Sequence, residues 1–204
     1  AASGLAEAHA IHLHIGSTAI LRDDGKIANR AFLFGPDGKL IATYDKIHMF
    51  DVDLATGESW RESNAYAPGE GPVTVETPLG LLGLTICYDL RFPALFEAYG
   101  RAGCDLITIP AAFTVPTGQA HWHVMQRARA IEATAFVVSA AQVGKHADGR
   151  ETYGHSLVVD PWGEVLLDMG GEAPGLSFAE LDPARVAAVR AQVPCLANKR
   201  QIAT

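Results

Sequence analysis

Cys87 is the residue around which chemistry could be built. It closes an apolar run, Leu81-Leu82-Gly83-Leu84-Thr85-Ile86, and a short segment, Tyr88-Asp89-Leu90-Arg91-Phe92, separates it from Pro93. Proline suits the first position of a helix, where its missing N–H is not needed. Leu95, Phe96 and Tyr99 then recur at helical spacing. The pattern predicts a buried strand, a tight turn at Cys87 and a helix. Such a turn presents its side chain at the carboxyl edge of a sheet, where ligands bind in layered α/β folds. The serine of a nucleophile elbow is placed in the same way. A thiol of ordinary pKa, about 8.5, needs a base or a cation to become a nucleophile. A cysteine at a strand end also packs as a small apolar group, so position alone leaves both roles open. Lys46, among Asp45, Asp51 and Asp53, reads by itself as a solvated charge or an ion-pair partner. Only a constellation raises it above that. Glu58 and Glu62 fall in a stretch with few apolar residues and read as solvated surface.

The elements that must position these groups follow from pattern. Residues 1–10 read as the end of a helix, and residues 11–15 as a strand ended by Gly16-Ser17. Strands are predicted at 29–34 and 40–44 around a Pro36-Asp37-Gly38 turn, and at 73–77 before the Cys87 strand. Residues 54–68 read as a loop. The helix after Cys87 leads through Gly103-Cys104-Asp105 into an apolar run at 106–110, a βαβ unit with a parallel crossover. A loop at 111–120 carries Thr114, Thr117 and Gly118, and His121 opens a helix to about Thr134. A buried strand at 136–141, a polar loop at 143–153, a hairpin over 156–167 and a strand at 175–181 follow. Asp182 is the N-cap of a last helix from Pro183 to Gln192, and residues 194–204 show no periodicity. This mix predicts α/β layers with mixed, stacked sheets.

Composition narrows the function. The 204 residues suit one domain, and no linker or repeat divides them. A net charge of −7 argues against a general nucleic-acid binder, and no apolar run approaches a membrane span. Three cysteines, Cys87, Cys104 and Cys195, predict reduced thiols in a cytoplasmic protein.

Three segments taken together resemble the nitrilase, or carbon–nitrogen hydrolase, superfamily. They are Tyr44-Asp45-Lys46-Ile47-His48-Met49-Phe50-Asp51, Gly83-Leu84-Thr85-Ile86-Cys87-Tyr88-Asp89-Leu90-Arg91-Phe92-Pro93 and Tyr153-Gly154-His155-Ser156-Leu157-Val158-Val159-Asp160-Pro161-Trp162-Gly163. Thr117-Gly118-Gln119-Ala120-His121-Trp122 agrees with them. The resemblance implies an α-β-β-α sandwich of two stacked mixed sheets that pairs into homodimers or higher homo-oligomers. It implies a Glu-Lys-Cys triad with Cys87 as nucleophile, Lys46 as the cation beside the tetrahedral intermediate and Glu62 as a second glutamate. The family's first glutamate, the general base, is expected upstream of Ala1, which makes residues 1–204 a single, N-terminally incomplete domain. Ala94 stands where members often carry glutamate.

The implied reaction is hydrolysis of a small-molecule amide through a thioester. Lys46 and the Tyr88 backbone N–H are the expected oxyanion donors, and neither a metal nor an organic cofactor is called for. Ser139-Ala140-Ala141-Gln142-Val143-Gly144-Lys145-His146, with the Tyr153–Gly163 segment, resembles the deaminated glutathione amidases. The ω-amidases, which cleave α-keto acid amides, are the second reading. Both substrates carry carboxylates, so Arg91, Arg127 and Arg129 are candidate binders, and Thr117 and His121 join Arg91 as substrate-binding residues on the resemblance. Arg127 and Arg129 also read as structural ion pairs. Other classes stay open: a degenerate binding subunit, a Cys-His protease, and a metal enzyme built on His121, His123 and Cys104. Against the last, His121 and His123 point to different faces of a helix.

Overall fold

The apolar alternation around Gly83 separates two cores in the computed structural model, which describes residues 1–53, 55, 57 and 59–200. Helix α1 (Ala2–His9) leads into an antiparallel sheet of β1 (Leu13–Leu21), β2 (Ile27–Phe34) and β3 (Leu40–Asp45). A short hairpin, β4 (Asp51–Asp53) and β5 (Ser59–Arg61), comes next. Then β6 (Val73–Thr77) pairs antiparallel with β7 (Gly80–Leu84), α2 (Pro93–Ala102) crosses to β8 (Leu106–Thr108), and α3 (Val115–Ala133) crosses to β9 (Phe136–Ser139). After a separate hairpin, β10 (Val143–Lys145) and β11 (Glu151–Tyr153), the strands β12 (Leu157–Val159) and β13 (Val165–Asp168) complete a six-stranded sheet. Its order is β13-β12-β9-β8-β7-β6, parallel at β7-β8-β9 and antiparallel elsewhere. Helix α4 (Pro183–Gln192) closes the chain's regular structure.

Successive side chains of a strand face opposite sides, and β7 shows what each side meets. Leu82 and Leu84 join Ala31, Leu33 and Tyr44 in the core between the two sheets. Leu81 faces the other core, where Phe96, Tyr99 and Trp122 of α2 and α3 cover Ile107, Ile109 and Val137. Gly83 is required there, because a Cβ would sit 2.8 Å from the Tyr99 ring. On the far side α1 packs on the three-stranded sheet through Ala6, and Ser3 Oγ donates to the Gly38 carbonyl at 2.7 Å. The layers run α, β, β, α.

Several expectations change in detail. Strand β1 continues through Gly16-Ser17, with a bulge between Ile15 and Thr18, because Gly16 packs on Pro110, whose Cβ would lie 2.8 Å from any added side chain. Helix α3 begins at Val115, not His121, with a proline in its first turn. Gly118 is a packing residue rather than a loop residue, since a Cβ would fall 2.2 Å from the Tyr153 ring. The stretch read as a loop at 54–68 includes β5 and a one-turn 3-10 helix at Glu62–Asn64. The polar stretch at 143–153 is the β10–β11 hairpin. The strand expected at 175–181 does not form. Its alternating Leu176 and Phe178 are exposed, and no strand partners them among the described residues. Asp182 caps α4 as expected, its Oδ1 accepting from Ala184 N–H at 2.9 Å. Glu58 and residues 201–204 lie outside the described residues.

His14 on β1 carries a pH signature. Burial pulls its imidazole down to about 4, and its Nε2 is buried without a partner among the described residues. The unfolded chain binds this proton near pH 6.5 and the folded chain does not, so stability is complete above 6.5 and is lost as pH falls toward 4. One proton sets a slope of at most about 1.4 kcal/mol per pH unit. Urea unfolding at pH 7 and pH 5 should show His14→Leu losing about 2 kcal/mol less than the parent. Equal losses would rule the signature out.

Candidate active site

The chain leaves β7 through two residues held to the next strand. Thr85 N–H and Oγ1 both donate to the Thr108 carbonyl, at 3.1 and 2.8 Å. Ile86 is extended, and Cys87 then turns into the left-handed region at φ 50°. A side chain there costs about 1–2 kcal/mol, so the surroundings must enforce it. Cys87 N–H donates to the Pro110 carbonyl at 2.9 Å, and a 3-10 turn over Cys87–Arg91 runs into α2 at Pro93. This is the strand, tight turn and helix expected from the sequence.

Asp89 holds the turn. Its fully buried carboxylate accepts from Ile86 N–H (2.9 Å), Tyr44 O–H (2.7 Å) and His48 N–H (3.1 Å), with His48 Nδ1 at 2.7 Å. Burial and the Asp89 charge push the Tyr44 phenol far up, so it stays a donor. Asp89 was not singled out from sequence. The available signal was its place three residues after Ile86, the spacing at which an acid reaches back to a turn's first N–H.

Lys46 follows β3 and is 3% exposed. Its Nζ lies 2.5 Å from Glu62 Oε2, which also accepts from Phe50 N–H at 2.7 Å, while Oε1 meets Asn29 Nδ2 at 3.4 Å. The structure therefore takes Glu62 off the solvated surface and sets it on Lys46. At Cys87, burial pushes the thiol above its ordinary pKa, and the Lys46 charge, with a backbone hydrogen bond from Ala112, pulls it back.

Cys87, Lys46, Glu62, Tyr88, Arg91 and Thr117 line one cavity of about 580 Å³. Arg91 lies between the Tyr88 and Phe113 rings, at 5.8 and 5.3 Å, and burial lowers its pKa. Its Nη1 meets His121 Nδ1 at 3.2 Å and the Met125 sulfur at 3.9 Å, and it has no carboxylate partner among the described residues. His121 is exposed and braces Arg91 from outside the cavity lining. Thr117 Oγ1 lies 2.8 Å from Thr114 Oγ1. Arg127 and Arg129 are structural: Arg127 donates to the Gly163 carbonyl at 2.7 Å, and Arg129 to the Leu90 carbonyl at 2.9 Å and Glu132 at 2.8 Å.

The other cysteines stand apart. Cys104 is buried in the helix-side core, where burial raises its thiol to about 11, and Cys195 is exposed. The metal set of His121, His123 and Cys104 is not brought together. His123 instead meets Asp168 at 3.0 Å, and His155 Nδ1 meets the same carboxylate at 2.9 Å. One ligand atom from each of these three side chains lies within 4.8 Å of the others, outside the cavity lining. They satisfy one another as a hydrogen-bonded cluster.

Residues 1–191 match the family model for carbon-nitrogen hydrolases. The chain belongs to the carbon-nitrogen hydrolase family. It is 45% identical over 177 residues to a deaminated glutathione amidase of Synechocystis, covering 86% of this chain and 65% of that protein. It is 40% identical over 186 residues to human omega-amidase NIT2, covering 91% of this chain and 67% of the relative. Among solved structures, the NitFhit protein of C. elegans superposes with a TM-score of 0.90 at 38% identity, over 97% of this chain and 48% of that one. The chain thus spans about two thirds or less of these relatives' lengths.

Asp89 allows a direct test within this hydrolase fold. Asp89→Asn keeps the shape but turns one acceptor into a donor facing donors. Each buried group left unsatisfied costs about 1–3 kcal/mol. The expected loss is about 3 kcal/mol, read as a lower denaturant midpoint at unchanged m-value. A loss below about 1 kcal/mol would show that Asp89 does not hold the turn.

Proposed function

We propose that this chain carries the nucleophile and the oxyanion cation of an amidase for small carboxylated amides, with deaminated glutathione as the preferred substrate. One observation carries the reading: Cys87, at positive φ, opens into the same cavity as the buried Lys46–Glu62 pair. The cavity's charge supports it. Among the described residues, Lys46, Arg61, Arg91 and Arg150 line it with the acid Glu62, in a protein of net charge −7. Such a surface selects an anionic ligand.

The chemistry follows from the placement. A base takes the Cys87 proton and the sulfur attacks the amide carbon. The negative charge gathers on the former carbonyl oxygen beside Lys46 and the Tyr88 N–H, each such donor contributing about 3–4 kcal/mol. The proton passes to the departing amine, a thioester remains, and water cleaves it. Glu62 is committed to Lys46, Asn29 and the Phe50 amide, so its part is to hold the cation. Proton removal belongs to the further glutamate of the family pattern. Glu7, exposed on α1 against the Gly38 turn, has no place in it. Arg91, half-buried without an anionic partner, takes a substrate carboxylate.

The second reading is an ω-amidase, since relatives of similar identity carry that name. A homodimer is proposed through the outer face of α3, where Val124 and Ile131 are exposed one above the other. Three unpaired cysteines favour a reducing compartment such as the cytoplasm.

Cys87→Ala should abolish amide hydrolysis while Cys104→Ala and Cys195→Ala retain it. Turnover within tenfold of the parent in Cys87→Ala of the full-length protein would sink the assignment, and a full-length parent that is fully inactive would favour a binding subunit. Lys46→Met should lower kcat by on the order of 100-fold or more with the fold retained. A change confined to KM would reduce Lys46 to substrate positioning. Deaminated glutathione should exceed α-ketoglutaramate, simple aliphatic amides and nitriles in kcat/KM. A win for α-ketoglutaramate by more than tenfold would replace this reading with the ω-amidase one.

A further inference from the structure

The cavity holds more positive charge than its chemistry consumes. Lys46 is neutralised by Glu62, and Arg61 is spent on Asp53, which it grips through Nη2 at 2.7 and 2.9 Å, and on the Val52 and Trp60 carbonyls. Two arginines keep donors open, Arg91 without a carboxylate partner among the described residues and Arg150 on the edge that its pair with Asp148 leaves free, and they come from different parts of the fold. Arg91 follows the nucleophile by four residues and is wedged between rings of the cavity wall. Arg150 belongs to the turn of the β10–β11 hairpin, far along the chain, and is exposed at the cavity's edge.

Arg150 is positioned with care for a surface residue. Its guanidinium lies over the Trp60 ring at 5.6 Å, so it spans from the β10–β11 turn to β5. Asp148, in the same turn, accepts from its N–H at 3.1 Å and its Nε at 2.6 Å. That leaves the Nη1–Nη2 edge without a partner among the described residues, and this edge matches a carboxylate in two parallel hydrogen bonds. The Trp60 Nε1–H beside it is buried and also lacks an acceptor among the described residues. The base of the hairpin is fixed: Tyr153 N–H donates to the Phe113 carbonyl at 2.9 Å, and Thr152 bridges to Thr114. The fork is held at the lip while its donors stay open.

We propose that Arg150, backed by Trp60, is a second carboxylate subsite that takes the leaving half of the substrate. The inference rests on the amidase reading above and deepens it. An amide between an α-keto dicarboxylic acid and a peptide amine has one carboxylate on the acyl side and one at the end of the departing peptide. An α-keto acid amide that releases ammonia has only the first. Arg91 beside the nucleophile serves the acyl carboxylate in both, and Arg150 serves the peptide carboxylate in one. The chain's preference between its two related substrate classes then resides in the hairpin turn and not at Cys87.

The test uses the full-length protein and three substrates: deaminated glutathione, its C-terminal glycinamide analogue and α-ketoglutaramate. In the parent, removing the terminal carboxylate should lower kcat/KM by about 20-fold, the scale of one charged hydrogen-bonded contact. In Arg150→Gln, the ratio of kcat/KM for deaminated glutathione to that for α-ketoglutaramate should fall by about the same factor. The glycinamide analogue should show no further loss against α-ketoglutaramate, and Arg150→Lys should restore part of the ratio. An unchanged ratio in Arg150→Gln, or an equal loss on all three substrates, overturns the subsite. A parent that hydrolyses none of the three overturns the amidase reading instead.

Discussion

One buried carboxylate holds the turn at Cys87 in place. Asp89 receives hydrogen bonds from its own turn, from Tyr44 on β3, the strand that ends just before Lys46, and from the loop after it. A charge removed from water is tolerated only when donors surround it, so the partners and the acid must assemble together. The consequence is positional: Cys87 and Lys46, on different sheets, are referred to one common point. His48 extends the joint, its ring stacked on Phe92 at 3.6 Å just before α2 begins. The left-handed backbone at Cys87 persists because these bonds leave the turn no competing arrangement.

From that joint the site's electrostatics follow in layers. Glu62 neutralises Lys46 but leaves it close enough to draw the thiol's pKa back against burial. Burial favours the neutral thiol over the thiolate, and the Lys46 charge opposes it. Beside this nearly neutral pair, Arg91 has no carboxylate partner among the described residues, and Arg150, paired through Nε with Asp148, keeps its outer edge open. The Lys46–Glu62 pair and the two arginines are therefore separate sets of charges within one cavity.

The strand, turn and helix at Cys87 were legible because three independent signals coincide there: an apolar run, a helix-starting proline and a periodic apolar face. Lys46 was legible only as a strand-end charge, and the resemblance to a family had to raise it. Glu62 looked solvated because the short strands before it are too brief to show a period, so nothing local reveals that they fold it over Lys46. Asp89 was missed for a related reason. Its partners Tyr44 and His48 lie 45 and 41 residues away, and a charged residue in a polar segment reads as surface. The misplaced strand at 175–181 shows the converse. Alternation in sequence makes a strand only where another strand pairs with it, and residues 175–181 have no such partner among the described residues.

The β10–β11 hairpin gives the fold a point at which it can change cheaply in evolution. Its base is pinned by Tyr153 over Gly118 and by the bridge to Thr114, while its turn, Ala147 to Arg150, is exposed and rests on a glycine at φ 86°. Exposed turns accept insertions and substitutions that cores reject. A change at this turn would leave the turn at Cys87, the Lys46–Glu62 pair and the buried Asp89 in place. The Cys87 turn and the hairpin turn are thus separate pieces of chain, one pinned by buried hydrogen bonds and the other exposed.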